Sequence, residues 1–187
     1  MITVISVQTY PTLDSDASSV RDYANSVLKL PVTGVRKRDL YVFDTQLPSY
    51  SAEFVGKELL ADKVSQTYSV QDSEGTPMAQ TGFDRTHVGN WGVRFAYKTN
   101  PLMRDDFGLN AREAIEDLDK GFKSLDPERR KRIFGTDVIP DLTVGEVRRV
   151  QEYLFFGMLN FADVQRVNLH RLSDVKVHDS VYFIPDD

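Results

Sequence analysis

Few side chains in this sequence combine a type and a spacing that could do covalent chemistry. Cysteine is absent, which excludes a thiol nucleophile, a disulfide and a thiolate metal site. The three histidines, His87, His170 and His178, contain no pair at the i, i+4 spacing of a helical zinc site, and they read as surface residues. Asp105 and Asp106 could hold magnesium, but anions favour helix N-termini, and capping accounts for the pair. Gly89-Asn90-Trp91-Gly92 is too short for a phosphate loop and precedes a strand, not a helix, so it reads as a turn. Two basic runs, Arg36-Lys37-Arg38 and Arg129-Arg130-Lys131-Arg132, could meet phosphate or RNA. The first falls on a predicted strand, where side chains alternate between faces. The second falls on a short predicted helix beside Asp126 and Glu128. Both read as solvated. Trp91 fits a partner anchor as well as it fits the core or a docked linker. The residues therefore assign no catalytic, cofactor-binding or metal-binding position.

The elements that would position any site follow from the apolar pattern. The chain has 187 residues, 41% of them hydrophobic and 11% aromatic, enough for one large core or two small ones. Its net charge of -5 gives no broad attraction to nucleic acid or to an anionic membrane. No apolar run approaches the roughly 20 residues of a membrane span. The N-terminus lacks the pattern of a signal peptide, so a cytoplasmic location is expected.

Residues 2–10 read as a strand closed by Pro11. A helix starting near Asp14 to Asp16 carries Val20, Tyr23, Ala24, Val27 and Leu28 at helical spacing and stops at Pro31. Residues 35–43 predict a strand. A helix from Pro48 to about Leu60 buries Val55 and Leu59, and a strand covers 64–70. Residues 71–90 are rich in Gly, Asp, Ser and Pro and mark a boundary. The pattern then restarts. A strand at 92–98 is followed by Pro101 and by a helix carrying Ala111, Ala114, Ile115, Leu118 and Phe122. Asp126-Pro127 caps a short helix that the first half lacks. Residues 133–139 supply strand residues. Thr143 to Glu146 fits a capping box opening a helix to about Leu159, followed by strands at 163–169 and 175–184.

Each half thus reads strand, helix, strand, helix, strand. We expect an α/β (α+β) chain of two tandem ferredoxin-like βαββαβ units. The first unit covers 1–72, the linker 73–90 and the second unit 91–187, with an insertion near 119–141. In this alignment 60–68 lies over 159–167. Exposed sheet edges favour pairing of two such units, which gives an internal pseudo-dimer whose apolar helix faces meet the sheet within each unit.

The phrase Glu58-Leu59-Leu60-Ala61-Asp62-Lys63-Val64-Ser65-Gln66-Thr67-Tyr68-Ser69-Val70 resembles the end of the PurS family, the small subunits of phosphoribosylformylglycinamidine synthase in purine biosynthesis. Arg38-Asp39-Leu40-Tyr41-Val42-Phe43 is similar to the preceding strand of that family. Val93-Arg94-Phe95-Ala96-Tyr97-Lys98 resembles its first strand, and 105–115 its first helix start. Two such units in tandem are similar to the N-terminal domain of the fused synthase. The resemblance implies a non-catalytic module that binds a synthetase and a glutaminase and supports ammonia transfer between them. ATP and magnesium would sit on the partner synthetase, with no cofactor, nucleic acid or membrane partner on this chain. Two other readings remain: a ferredoxin-like regulatory domain that binds a small molecule, and an RNA-binding sheet, which the acidity and the lack of an RNP pattern disfavour.

Overall fold

The computed structural model describes residues 1–74, 77–78, 84–98 and 105–185. In chain order the elements are β1 (Ile2–Thr9), α1 (Ser15–Ser26), β2 (Val32–Phe43), α2 (Ser49–Val55), β3 (Gln66–Ser73), β4 (Gly89–Tyr97), α3 (Asp106–Ser124), α4 (Pro127–Phe134), β5 (Val147–Leu159), α5 (Phe161–Val167) and β6 (His178–Phe183). Both α2 and α5 run on into a five-residue turn of π-helix, Gly56–Leu60 and Asn168–Leu172. The six strands make one antiparallel sheet in the order β3-β1-β2-β5-β4-β6. The class is therefore mixed α/β, as expected. Each half contributes three strands, so the four-strand βαββαβ unit is not what the described residues form. The region expected to hold the extra pairing is absorbed into β2, one long strand of 12 residues.

Alternation along the strands gives the sheet two different faces. One carries Ile5, Val7, Phe43, Trp91, Val93, Phe95, Tyr153 and Phe155 and is covered by helices. The other carries Val4, Leu40, Val42, Ala96 and Val150, and Met78 of the segment between β3 and β4 packs against them. The helical side divides into two clusters. In one, Ala52, Phe54 and Val55 of α2 meet Ala111, Ile115 and Phe122 of α3 over β1 and the end of β2. In the other, Val20 and Ala24 of α1 meet Val164 and Val167 of α5 over β4 and β5. The helices lie on the sheet of their own half, as expected: α1 on β2, α2 on β3, α3 on β5, and α5 on β4 and β5. At the seam the helices of the two halves also meet, α1 beside α5 and α2 beside α3. Aromatic and polar contacts join these helix pairs. Phe54 and Phe122 meet edge to face with centroids 5.3 Å apart, and Arg171 donates to the Ser19 hydroxyl at 3.1 Å.

Further expectations in the second half are overturned. Residues 147–159 form β5, not a helix. A central strand is buried on both faces, so its apolar residues do not alternate cleanly, and Val147, Val150 and Leu154 mimic helical spacing. The supposed capping box is a loop, in which the Thr143 N–H donates to Asp141 at 3.1 Å. Residues 163–169 belong to helix, because the true capping box is Asn160 with Asp163, whose side chains each accept from the other's N–H at 3.0 Å. Residues 133–139 form no strand; Phe134 ends α4 and Gly135 takes the left-handed conformation of a helix stop, φ 75°. Finally, 60–68 does not correspond to 159–167. The π-turn before β3 corresponds instead to the π-turn before β6.

Other local expectations stand. Asp14 caps α1 by accepting from the Ala17 N–H at 2.9 Å. Asp105 caps α3 through the Gly108 N–H at 3.0 Å. Asp126 caps α4 through the Arg129 N–H at 2.9 Å, with Pro127 in the first turn.

Candidate interaction site

The middle of the sheet is the seam between β2 and β5, the partners in the longest ladder, from Phe43 opposite Val147 to Val32 opposite Gly157. Near its centre Asp39 lies opposite Gln151. On the helical face Arg149 donates to Asp39 Oδ1 from Nε at 3.0 Å and from its terminal nitrogen at 2.8 Å. Both side chains are mostly buried, 14% and 21% exposed, so the pair is worth more than a surface ion pair. Arg149 is further fixed from its backbone, whose N–H donates to Asp105 Oδ2 at 2.8 Å, and its guanidinium lies 4.3 Å from the centre of the Phe107 ring. The α3 cap thus reaches across to the seam. Burial, with Asp39 beside it, pushes the Tyr41 hydroxyl up. Burial also raises Tyr153. Both stay neutral phenols near pH 7.

Two depressions flank this pair on the helical side. One is lined by Thr9, Lys37, Asp39 and Gln66 with the start of α1 and measures about 240 Å³. The other is lined by Tyr97, Arg149, Gln151 and His178 with the start of α3 and holds only about 30 Å³. In the first, Lys37 Nζ donates to Asp16 Oδ2 at 2.6 Å, and the ammonium holds the Asp16 carboxyl below its usual range. In the second, His178 lies against Phe95 and Tyr97, and its Nδ1 accepts from the Asp174 N–H at 3.1 Å. Burial lowers its pKa.

On the opposite face Glu152 is only 2% exposed. Arg94 Nε donates to its Oε2 at 2.7 Å, and Arg38 stands 3.5 Å from its Oε1. Arg94 also donates to the Pro77 carbonyl oxygen at 3.2 Å. One face of that guanidinium lies 4.3 Å from the Phe183 ring centre. Part of the segment joining the halves is thereby pinned to this face.

Residues singled out in the sequence fall as follows. Arg36 and Arg38 are on the open face and Lys37 on the helical face, as strand alternation requires. Arg129 to Arg132 lie on α4, where Arg129 pairs with Asp126 and Arg130 donates to the Leu125 carbonyl oxygen. Trp91 is wholly buried, and its Nε1 donates to the Leu159 carbonyl oxygen at 3.0 Å; it is a core residue. His87 sits against Trp91 and His170 is on the π-turn after α5. The histidines do not converge. Sequence reasoning missed Asp39, Arg149 and Glu152. The one available signal was Glu152 itself, a carboxylate set among apolar residues at 150–156, which demands a buried partner.

No protein-family model matches the chain, and no curated protein matches it.

Proposed function

We propose that this chain is a PurS-like, non-catalytic module of phosphoribosylformylglycinamidine synthase. Its two halves would form an internal pseudo-dimer that bridges synthetase and glutaminase and supports ammonia transfer between them. The observation that carries this reading is the register of the sheet. In the first half Thr9 lies opposite Gln66 and Val7 opposite Asp39. In the second, Tyr97 lies opposite His178 and Phe95 opposite Gln151. The ladder geometry of one half therefore maps onto the other strand by strand. The π-turns follow suit, since Gly56–Leu60 and Asn168–Leu172 stand the same 112 positions apart (56 to 168) as Gln66 and His178 (66 to 178). The two strands at the seam map onto each other, as they would in a twofold pair joined edge to edge.

The PurS-like phrases agree with that mapping. Residues 58–70 span the first π-turn and β3, 38–43 end β2, 93–98 cover most of β4, and 105–115 open α3. The module would supply contact surface, with ATP and magnesium bound by the synthetase. The decisive experiment is co-purification of the full chain with a formylglycinamidine synthetase and its glutaminase in the presence of glutamine and ADP. A stable ternary complex is expected. Failure to retain either partner removes the bridging role.

A further inference from the structure

The antiparallel pairing that joins the halves at β2 and β5 leaves β3 and β6 as the two edges of the sheet. β3 is the longer, eight residues against six. Natural edges are blunted with Pro, Lys, a bulge or a covering segment. β3, Gln66-Thr67-Tyr68-Ser69-Val70-Gln71-Asp72-Ser73, holds no Pro and no basic residue. It pairs with β1 residue for residue, from Thr9 opposite Gln66 to Ile2 opposite Ser73, with no bulge. No further strand among the described residues lies on its outer side.

The hydrogen bonds show which groups face outwards. The Tyr10 N–H donates to the Ser65 carbonyl oxygen at 2.9 Å, whereas the Gln66 N–H turns back to the Asp62 carbonyl oxygen at 2.9 Å. Antiparallel pairs alternate between bonded and non-bonded, so Thr67, Ser69, Gln71 and Ser73 bond to β1. The N–H and C=O groups of Tyr68, Val70 and Asp72 therefore point away from the sheet. This row is self-complementary. Antiparallel pairing about Val70 sets Val70 opposite Val70 and Tyr68 opposite Asp72, and each pair can exchange both backbone bonds. Ser69 then lies opposite Gln71, both neutral and exposed on the open face. The one charge on the strand, Asp72, never meets its like. On α2, which packs on β3, Glu53 lies beside the Tyr68 hydroxyl. Lys57, one turn on, follows Gly56, which packs on the Tyr68 ring. A twofold axis reverses their order, so Glu53 is set towards Lys57 of the second copy. Lys57 is 58% exposed, and its pair with Glu58 is a surface pair that costs little to rearrange.

We propose that β3 pairs with β3 of a second copy of this chain about a twofold axis at Val70, closing a dimer with one continuous sheet. An isologous contact of this kind uses up the β3 edge of both copies and ends growth there. The pairing involves the sheet edge alone and does not rest on the bridging role.

The test is size exclusion with light scattering on the full chain over about a hundredfold range of concentration, with amide hydrogen exchange at both ends of that range. A reversible monomer–dimer equilibrium is expected. The amides of Tyr68, Val70 and Asp72 should exchange more slowly at high concentration, while those of Ser180 and Tyr182 on β6 should not change. Ser69→Lys combined with Gln71→Lys sets lysine against lysine across the axis and should weaken the dimer about tenfold. Circular dichroism checks that this double variant folds; if it unfolds, the wild-type exchange map decides. A chain that stays monomeric, growth beyond the dimer, a dimer that protects β6 in place of β3, or full affinity in the folded double variant overturns the proposal. So does protection of Tyr68, Val70 and Asp72 only on addition of an alternating Thr-Val peptide, since the edge then takes a foreign strand.

Discussion

Asp39 and Gln151 face each other across the β2–β5 ladder, and each fills in its own half the register position that the other fills in its half. They differ in what they can hold. Asp39 takes both nitrogens of Arg149 on one oxygen, whereas Gln151 carries no charge to offer Lys37. Replacing Asp39 with Asn should leave the guanidinium of Arg149 mostly buried and unmatched. The expected loss is about 1–2 kcal/mol of unfolding free energy, discounted for partial exposure. Urea unfolding of D39N, R149M and the double variant will show whether the two losses are coupled, as a shared ion pair requires.

Glu152 gives a larger effect on the other face. It stands between Arg94 and Arg38 at 2% exposure, so Glu152→Gln keeps the shape and removes the charge that both arginines need. Breaking such a pair costs about 3–5 kcal/mol when both partners are buried. With the arginines about a third exposed, a loss of roughly 2 kcal/mol is expected. Equal stability of E152Q and wild type in urea would show that water satisfies the arginines.

Two helical glycines should respond in opposite directions. A Cβ at Gly108 would collide with the Val147 carbonyl oxygen, whereas one at Gly121 meets nothing within 4 Å. Gly108→Ala should destabilise by about 1–3 kcal/mol through forced separation of α3 from β5. Gly121→Ala should stabilise by about 0.5–1 kcal/mol through helix propensity. Thermal melts of the two variants check the contrast.

His178 should make the fold acid-sensitive. Burial lowers its pKa below the ordinary 6.5. Protonation is thus disfavoured in the folded chain relative to the unfolded one. The unfolded state binds more protons between the lowered value and 6.5, so stability rises with pH across that window and falls as pH drops through it. His178→Gln takes the residue found at the equivalent Gln66. Urea midpoints at about pH 7.5 and about pH 5.5 should differ less for H178Q than for wild type.

Cutting the chain between Asp72 and Asn90 should leave the halves together. The interface is the whole β2–β5 ladder plus the two core clusters in which helices of both halves meet. Size exclusion after nicking is expected to give one peak. Residues 1–72 alone should dimerise or aggregate, since α3 and β5 are missing from their core. A monomeric, well-folded fragment would count against the mutual dependence of the halves.

What the sequence made legible was local. Asp14, Asp105 and Asp126 announced three helices because a cap and its N–H donors lie within three residues. Strands β1, β2 and β4 were legible because Val, Ile and aromatic residues are bounded by Pro or Gly. The strand at 147–159 and the helix at 161–167 were exchanged because burial on both faces erases the period of two, and Thr143 with Glu146 imitates a cap. Asp39 and Arg149 lie 110 positions apart, and no spacing rule links residues at that range. The clefts were equally hidden, since each forms between strands and a helix start that lie far apart in the sequence of one half.

The core clusters shared by the two halves also set an order of events during synthesis. Val20 and Ala24 of α1 leave the ribosome well before Trp91, Tyr153 and Phe155, the residues with which they finally share a core cluster. Until β5 has emerged, β2 has no partner on one side, and α1 can pack on β2 alone. Closure of loops this long is entropically slow compared with local helix formation. The nascent first half must therefore wait in a partly collapsed state, with the exposed apolar surface and open strand edge that chaperones bind. Translation speed across residues 92–159 then becomes a determinant of yield, independent of the stability of the finished sheet.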